Sequence, residues 1–156
     1  MPIPICVSGC FLELHSGHID YLRQAIELAA GISNRLLLII NSEDYLREKY
    51  QGLVEGAGPV EGQVLGHRFK PEVRQEILIE AIVPILEEAN PDLTVEFYVS
   101  DNALEEEWMP EQVTWVVGPD YANLEFKESR KVWATVVVRN EKQSAAEEWE
   151  SKWSRS

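Results

Sequence analysis

Leu36-Leu37-Leu38-Ile39-Ile40 is the stretch that most narrows what this chain can fold into. An unbroken aliphatic run puts apolar side chains on both faces of a strand, so both faces need cover. Upstream, Ile19, Leu22, Ile26 and Ala29 recur at helical spacing, with Asp20, Arg23, Gln24 and Glu27 between them. Gly31 is placed to stop that helix. Ile3 to Ser8 reads as a short buried strand before it. Strand, helix and strand within about forty residues make a βαβ unit.

The rest of the chain repeats the alternation. Asn41 or Ser42 can cap a short helix through Lys49. Gln51 to Lys70, with Gly52, Gly56, Gly58, Pro59, Gly62 and Gly66, reads as a long irregular loop, either a binding segment or a disordered excursion. Pro71 opens a helix striped by Val73, Ile77, Ala81 and Ile85, which Pro84 kinks or ends early. Leu93–Val99, Val113–Val117 and Trp133–Val138 read as further strands. Asn102–Trp108 reads as a short helix and Gln143–Trp153 as the last one. The pattern predicts an α/β fold: a single Rossmann-like domain over residues 1–156, a five-stranded parallel sheet with helices on both faces.

In such a sheet ligands bind beyond the carboxyl ends of the strands. Ser8–His18, Asn41–Lys49, Gly118–Tyr121 and Arg139–Ser144 follow strands and should meet in one crevice. A net charge of −13 argues against nucleic acid and anionic membrane as partners. The absence of a bilayer-length apolar run or a basic leader makes the cytoplasm the expected location. In so acidic a chain the few basic side chains near strand ends carry weight. Cys6 and Cys10 read as reduced, buried thiols, without the partners a zinc site needs.

His15 and His18 flank Gly17 at a strand-to-helix turn. Backbone N–H groups, a helix N-terminus and two imidazoles around one point suit phosphate oxygens. A single histidine is more often structural, and no third ligand at metal spacing appears, so no metal site is assigned to the protein itself. Lys49 and Arg139 follow two different strands. Each alone reads as a surface charge; together they can reach a triphosphate. Arg74, on the helix after the long segment, is a weaker candidate of the same kind.

Taken in order, these motifs resemble the nucleotidylyltransferase superfamily, whose signature is a Gly-x-Phe-Asp strand end followed by His-x-Gly-His. Gly9-Cys10-Phe11 and His15-Ser16-Gly17-His18 carry the likeness. The cytidylyltransferase-like branch, with glycerol-3-phosphate cytidylyltransferase and heptose 1-phosphate adenylyltransferase, is the most similar. Asn41-Ser42-Glu43-Asp44, Val117-Gly118-Pro119-Asp120-Tyr121 and Arg139 to Ser144 follow in family order.

The resemblance implies transfer of a nucleoside monophosphate from ATP or CTP to a small phosphorylated acceptor, a sugar or polyol phosphate, with release of pyrophosphate. It implies His15, His18, Lys49 and Arg139 as catalytic residues. Gly9, Cys10, Phe11, Gly17, Gly118, Asp120, Tyr121 and Ser144 would bind the nucleotide, and Asn41 and Arg74 the acceptor. Mg²⁺ would be the cofactor, carried mainly on the phosphates, and a homodimer is an assembly that the family allows. The sequence departs from the pattern where the family has an acid (Leu12), a lysine (Val117) and threonines (Ala145, Ala146). Those departures keep open a binding or regulatory relative on the same fold. Trp149 and Trp153, with the acidic surface, keep open a partner-binding protein.

Overall fold

The computed structural model describes residues 3–117, 132–137 and 149. Strand β1 (Ile5–Gly9) leads into helix α1 (Ser16–Ile32) and strand β2 (Arg35–Ile40). Helices α2 (Glu43–Lys49), α3 (Gln51–Gly56), α4 (Pro59–Arg68) and α5 (Pro71–Ala89) follow. Then come β3 (Thr94–Val99), a 3₁₀ turn (Ala103–Glu105), β4 (Val113–Val117) and β5 (Val132–Val137). All strand pairs are parallel, in the order β3-β2-β1-β4-β5. The chain therefore builds outward from β1 on one side and then crosses to β4 on the other. That reversal, between β1 and β4, is the topological switch point.

One face of the sheet presents Ile5, Val7, Leu36, Leu38 and Ile40 to α1 and α5, which bring Leu22, Ala25, Ile26, Leu78 and Ile82. The other face presents Cys6, Leu37, Ile39, Trp115 and Val117. Leu36 to Ile40 are almost wholly buried, as a two-faced strand requires. Helices on both faces were expected. Among the described residues, however, the second face is covered by the segment after β3, through Ala103, Leu104, Trp108 and Met109. Trp108 lies flat on Tyr98 of β3, ring centroids 4.0 Å apart, which lets a mostly non-helical strap do a helix's work. The helix expected over 102–108 is accordingly only the 3₁₀ turn.

Three other expectations change. Gln51–Lys70 is not an irregular loop but the two helices α3 and α4. Their apolar residues Leu53, Val64 and Leu65 join a cluster with Leu12, Leu46, Phe69 and Trp149, and that burial outweighs the glycines' low helix propensity. Trp149 also donates from Nε1 to Glu61 of α4 at 3.0 Å. Second, α5 runs through Pro84 to Ala89. Pro84 and Glu80 are both exposed, so the carbonyl that loses its partner faces water. Third, α1 passes Gly31 and ends at Ser33 and Asn34, whose N–H groups both donate to Ala29 O. Asn34 takes the left-handed conformation (φ 57°) that closes the helix. The final helix expected over 143–153 lies, apart from Trp149, outside the described residues. Among the described residues no helix is long and apolar enough to cross a membrane.

A glycine inside a helix costs about 1 kcal/mol relative to alanine. A Cβ on Gly66 would meet nothing within 4 Å. Gly66→Ala should therefore raise unfolding stability by about 1 kcal/mol in a denaturant titration; no gain would argue against helix α4.

Candidate functional site

β1, β2 and β3 end level: Gly9 pairs with Ile40, and Ile40 with Val99. Cys10, Asn41 and Ser100 thus leave the sheet side by side. Asn41 N–H donates to Gly9 O at 3.2 Å and Ser100 N–H to Ile40 O at 3.0 Å, so the pairing continues one residue past the strands. The chain after β1 then turns sharply. Phe11 has φ 50°, uncommon for a bulky residue, and its ring is buried in the α1 side of the core. That ring passes close over Gly9, where an added Cβ would lie 3.1 Å from it. Gly9 makes room for Phe11, a reason internal to the fold.

His15 is the N-cap of α1, its Nδ1 accepting the Gly17 N–H at 3.0 Å. His15 and His18 stack with centroids 3.9 Å apart, and Phe11 meets His18 edge-on at 5.6 Å. His15 Nε2 and His18 Nδ1 are buried without hydrogen-bond partners. Burial, and then the neighbouring charge of His15, pull the pKa of His18 down to about 4. His18 is therefore neutral at pH 7. Two unpartnered ring nitrogens stand at the N-terminus of a helix beside the switch point.

Cys10, Asn41, Lys49 and Arg74 form a second group. Lys49 Nζ lies 3.6 Å from Cys10 Sγ and over the rings of Tyr50 and Tyr45. The Cys10 thiol donates to Asn41 Oδ1 at 3.3 Å. Burial pushes that thiol's pKa up, against the pull of Lys49, and burial also raises Cys6. Arg74 is fully buried. Its guanidinium donates to the carbonyls of Cys10 (2.9 Å), Asn41 (2.7 Å) and Phe69 (2.8 Å). Arg74 thus stands beneath the site as a backbone clamp, tying the ends of β1 and β2 to the end of α4. Leu12 is fully buried among Leu46, Phe69 and Trp149. The next residue, Glu13, is turned aside to Arg68 of α4 at 3.2 Å.

Asp101 was not found from the sequence. It accepts from Ser42 N–H (2.9 Å), Ser42 Oγ (2.6 Å) and Asn41 Nδ2 (3.2 Å), joining the ends of β2 and β3. Burial raises its pKa, but those donors and Arg74 outweigh it and hold the carboxyl below its usual range. The strand-end rule that singled out Asn41 would have reached Ser100-Asp101-Asn102 had it been applied to the third strand. Asn41 and Asp101 border a cavity of about 210 Å³ floored by Ser8, Ile39 and Trp115. Gly118, Asp120, Tyr121, Arg139 and Ser144 lie outside the described residues.

The lipopolysaccharide core biosynthesis protein from Thermoplasma volcanium GSS1 has a similar structure. It aligns with a TM-score of 0.52 at 17% sequence identity, over 91% of this chain and 100% of that one. The likeness is one of fold. No family model matches the chain, and no match is found among curated proteins.

Mg²⁺ prefers hard oxygen ligands, and the β1 end offers two imidazoles and a thiol. Among the described residues no group of three His, Cys, Asp or Glu side chains gathers around one point. These residues do not form a cage for the ion.

Removing Arg74 would strand three carbonyls that now share one guanidinium. Arg74→Ala should lose on the order of 3 kcal/mol of stability, and Arg74→Lys much of the same, since an ammonium lacks the fork. Denaturant unfolding reads both. Asp101, with its lowered pKa, contributes stability that is present above the ordinary carboxylate pKa. That contribution is lost as pH falls through the lowered value. Asp101→Asn should flatten this acid limb of a stability–pH curve.

Proposed function

We propose that this chain is a nucleotidylyltransferase that moves a nucleoside monophosphate from ATP or CTP to a small phosphorylated acceptor. The observation that carries the reading is the stacked pair His15 and His18 at the N-terminus of α1, beside the switch point, with His15 Nε2 and His18 Nδ1 unpartnered. Helix N-terminus and ring nitrogens converge where an α-phosphate gains negative charge during in-line displacement. The acceptor phosphate attacks the α-phosphorus and pyrophosphate leaves, without a covalent enzyme intermediate. The two histidines stabilise the charge that develops. Lys49, close to Cys10 at the β1 end, is placed to hold leaving phosphate oxygens, with Arg139 and Ser144 assigned to the same task by sequence.

Gly118, Asp120 and Tyr121 are assigned to the nucleoside. Gly17 serves through the cap it shares with His15, and Arg74 through the backbone it clamps. Asn41, on the rim of the cavity, is assigned to the acceptor. Mg²⁺ bound to the nucleotide would supply charge neutralisation on the phosphates. The neighbour's part in lipopolysaccharide core biosynthesis supports a sugar-derived acceptor. A cytoplasmic location, with its supply of nucleoside triphosphates, fits this reading.

A second reading, nucleotide binding without turnover, is favoured by Leu12, which buries an apolar side chain where the family has an acid. Pyrophosphate release separates the two. With Mg²⁺, ATP or CTP and a panel of sugar and polyol phosphates, one pairing should release pyrophosphate. His18→Ala should lower that rate by roughly 10²–10³-fold with the fold intact. Nucleotide binding with no turnover on any acceptor would select the second reading, and an unchanged His18→Ala rate would remove His18 from the chemistry.

A further inference from the structure

We propose that His15 and His18 engage phosphate in different protonation states: His15 as a neutral Nε2–H donor, and His18 only after taking a proton from solvent at Nδ1. The inference rests on the reading above, in which the pair binds phosphate.

His15 Nδ1 accepts the Gly17 N–H at 3.0 Å, and an accepting nitrogen carries no proton. The proton of neutral His15 is therefore on Nε2. Charging the ring would end the cap, because Nδ1 would become a donor facing a donor. His15 is 9% exposed and its Nε2 has no partner. It is a fixed, desolvated donor, ready for a phosphate oxygen without any change of state.

His18 is set up the other way. The backbone carbonyl of Glu13 supports its ring proton. Nδ1 is buried and unpartnered, so the supported proton belongs to Nε2 and Nδ1 is a bare lone pair. A lone pair repels a phosphate oxygen; an N–H at the same atom binds it. Around His18 stand His15 on its face, the Phe11 ring on its edge and the Glu13 carbonyl. Among the charged groups nearby, the Glu13 carboxylate is engaged by Arg68, while Lys49 and Arg74 contact Cys10. Burial keeps His18 neutral in the free protein. A phosphate supplies the opposite charge that the ring lacks, and the proton follows it.

Phosphate binding is then linked to uptake of up to one proton. The bound state holds more protons than the free state, so affinity rises as pH falls, by up to tenfold per unit, and levels off near pH 4.

The chain has three histidines, His15, His18 and His67, few enough to assign singly. The test is nitrogen NMR of the imidazoles in the full chain at pH 7, titrated with inorganic tripolyphosphate. A His18→Asn variant assigns the His18 signals, and calorimetry in two buffers of different ionisation enthalpy counts protons beyond the ligand's own. In the free protein both rings should be neutral Nε2–H forms. With tripolyphosphate bound, His18 should become an imidazolium and His15 should stay neutral. Binding with His18 still neutral, or with His15 as the charged ring, overturns the inference and leaves phosphate binding standing. Imidazole signals of His15 and His18 unmoved at millimolar tripolyphosphate would overturn phosphate binding at the pair, and this inference with it.

Discussion

The ends of β1 and β2 depend on one buried guanidinium. The bond from Asn41 N–H to Gly9 O is the last of the β1–β2 ladder, which leaves the carbonyls of Cys10 and Asn41 to be paired otherwise. Arg74 takes both and adds Phe69. A neutral side chain could not satisfy three acceptors from one point, and a lysine lacks the planar spread. The strand ends are tied together because this charge is spent inside the fold. The same commitment explains why Arg74, a weaker ligand candidate on sequence grounds, acts through backbone.

The segment after β1 is read differently once its packing is known. Gly9 makes room for the ring of Phe11, and Phe11 accepts a left-handed backbone so that its ring can enter the core. The ring then meets the edge of His18. The small residue, the strained aromatic and the second histidine are thus one packed unit, and His15 joins it by stacking and by capping α1. An imidazole held this way has little rotational freedom, which suits a group that must meet charge as it develops.

Much of the architecture was legible in local pattern. The run Leu36–Ile40 marked a strand buried on both faces, and the spacing from Ile19 to Ala29 marked α1. Residue type narrowed the α2 cap to Asn41 or Ser42, and the structure has Ser42 there. Less legible were features whose cause lies far along the chain. Helices α3 and α4 carry glycines that argue for a loop, and only the cluster of Leu12, Leu46, Phe69 and Trp149 makes them helical. Asp101 is an ordinary turn residue until Ser42 and Asn41 are placed beside it. The strap over the second face has no helical period, yet Trp108 anchors it on Tyr98.

The sequence by itself determined the strand and helix alternation, the parallel sheet, and the presence of two histidines at a strand-to-helix turn. These follow from side-chain periodicity and from residues with few backbone options, which act over a handful of positions. Tertiary structure alone decided which nitrogen of each histidine is committed, that Arg74 faces inward, and that Leu12 is core. Those outcomes depend on which donor meets which acceptor across tens of residues, and on how much water is excluded there. Local sequence carries no record of either until the chain has closed.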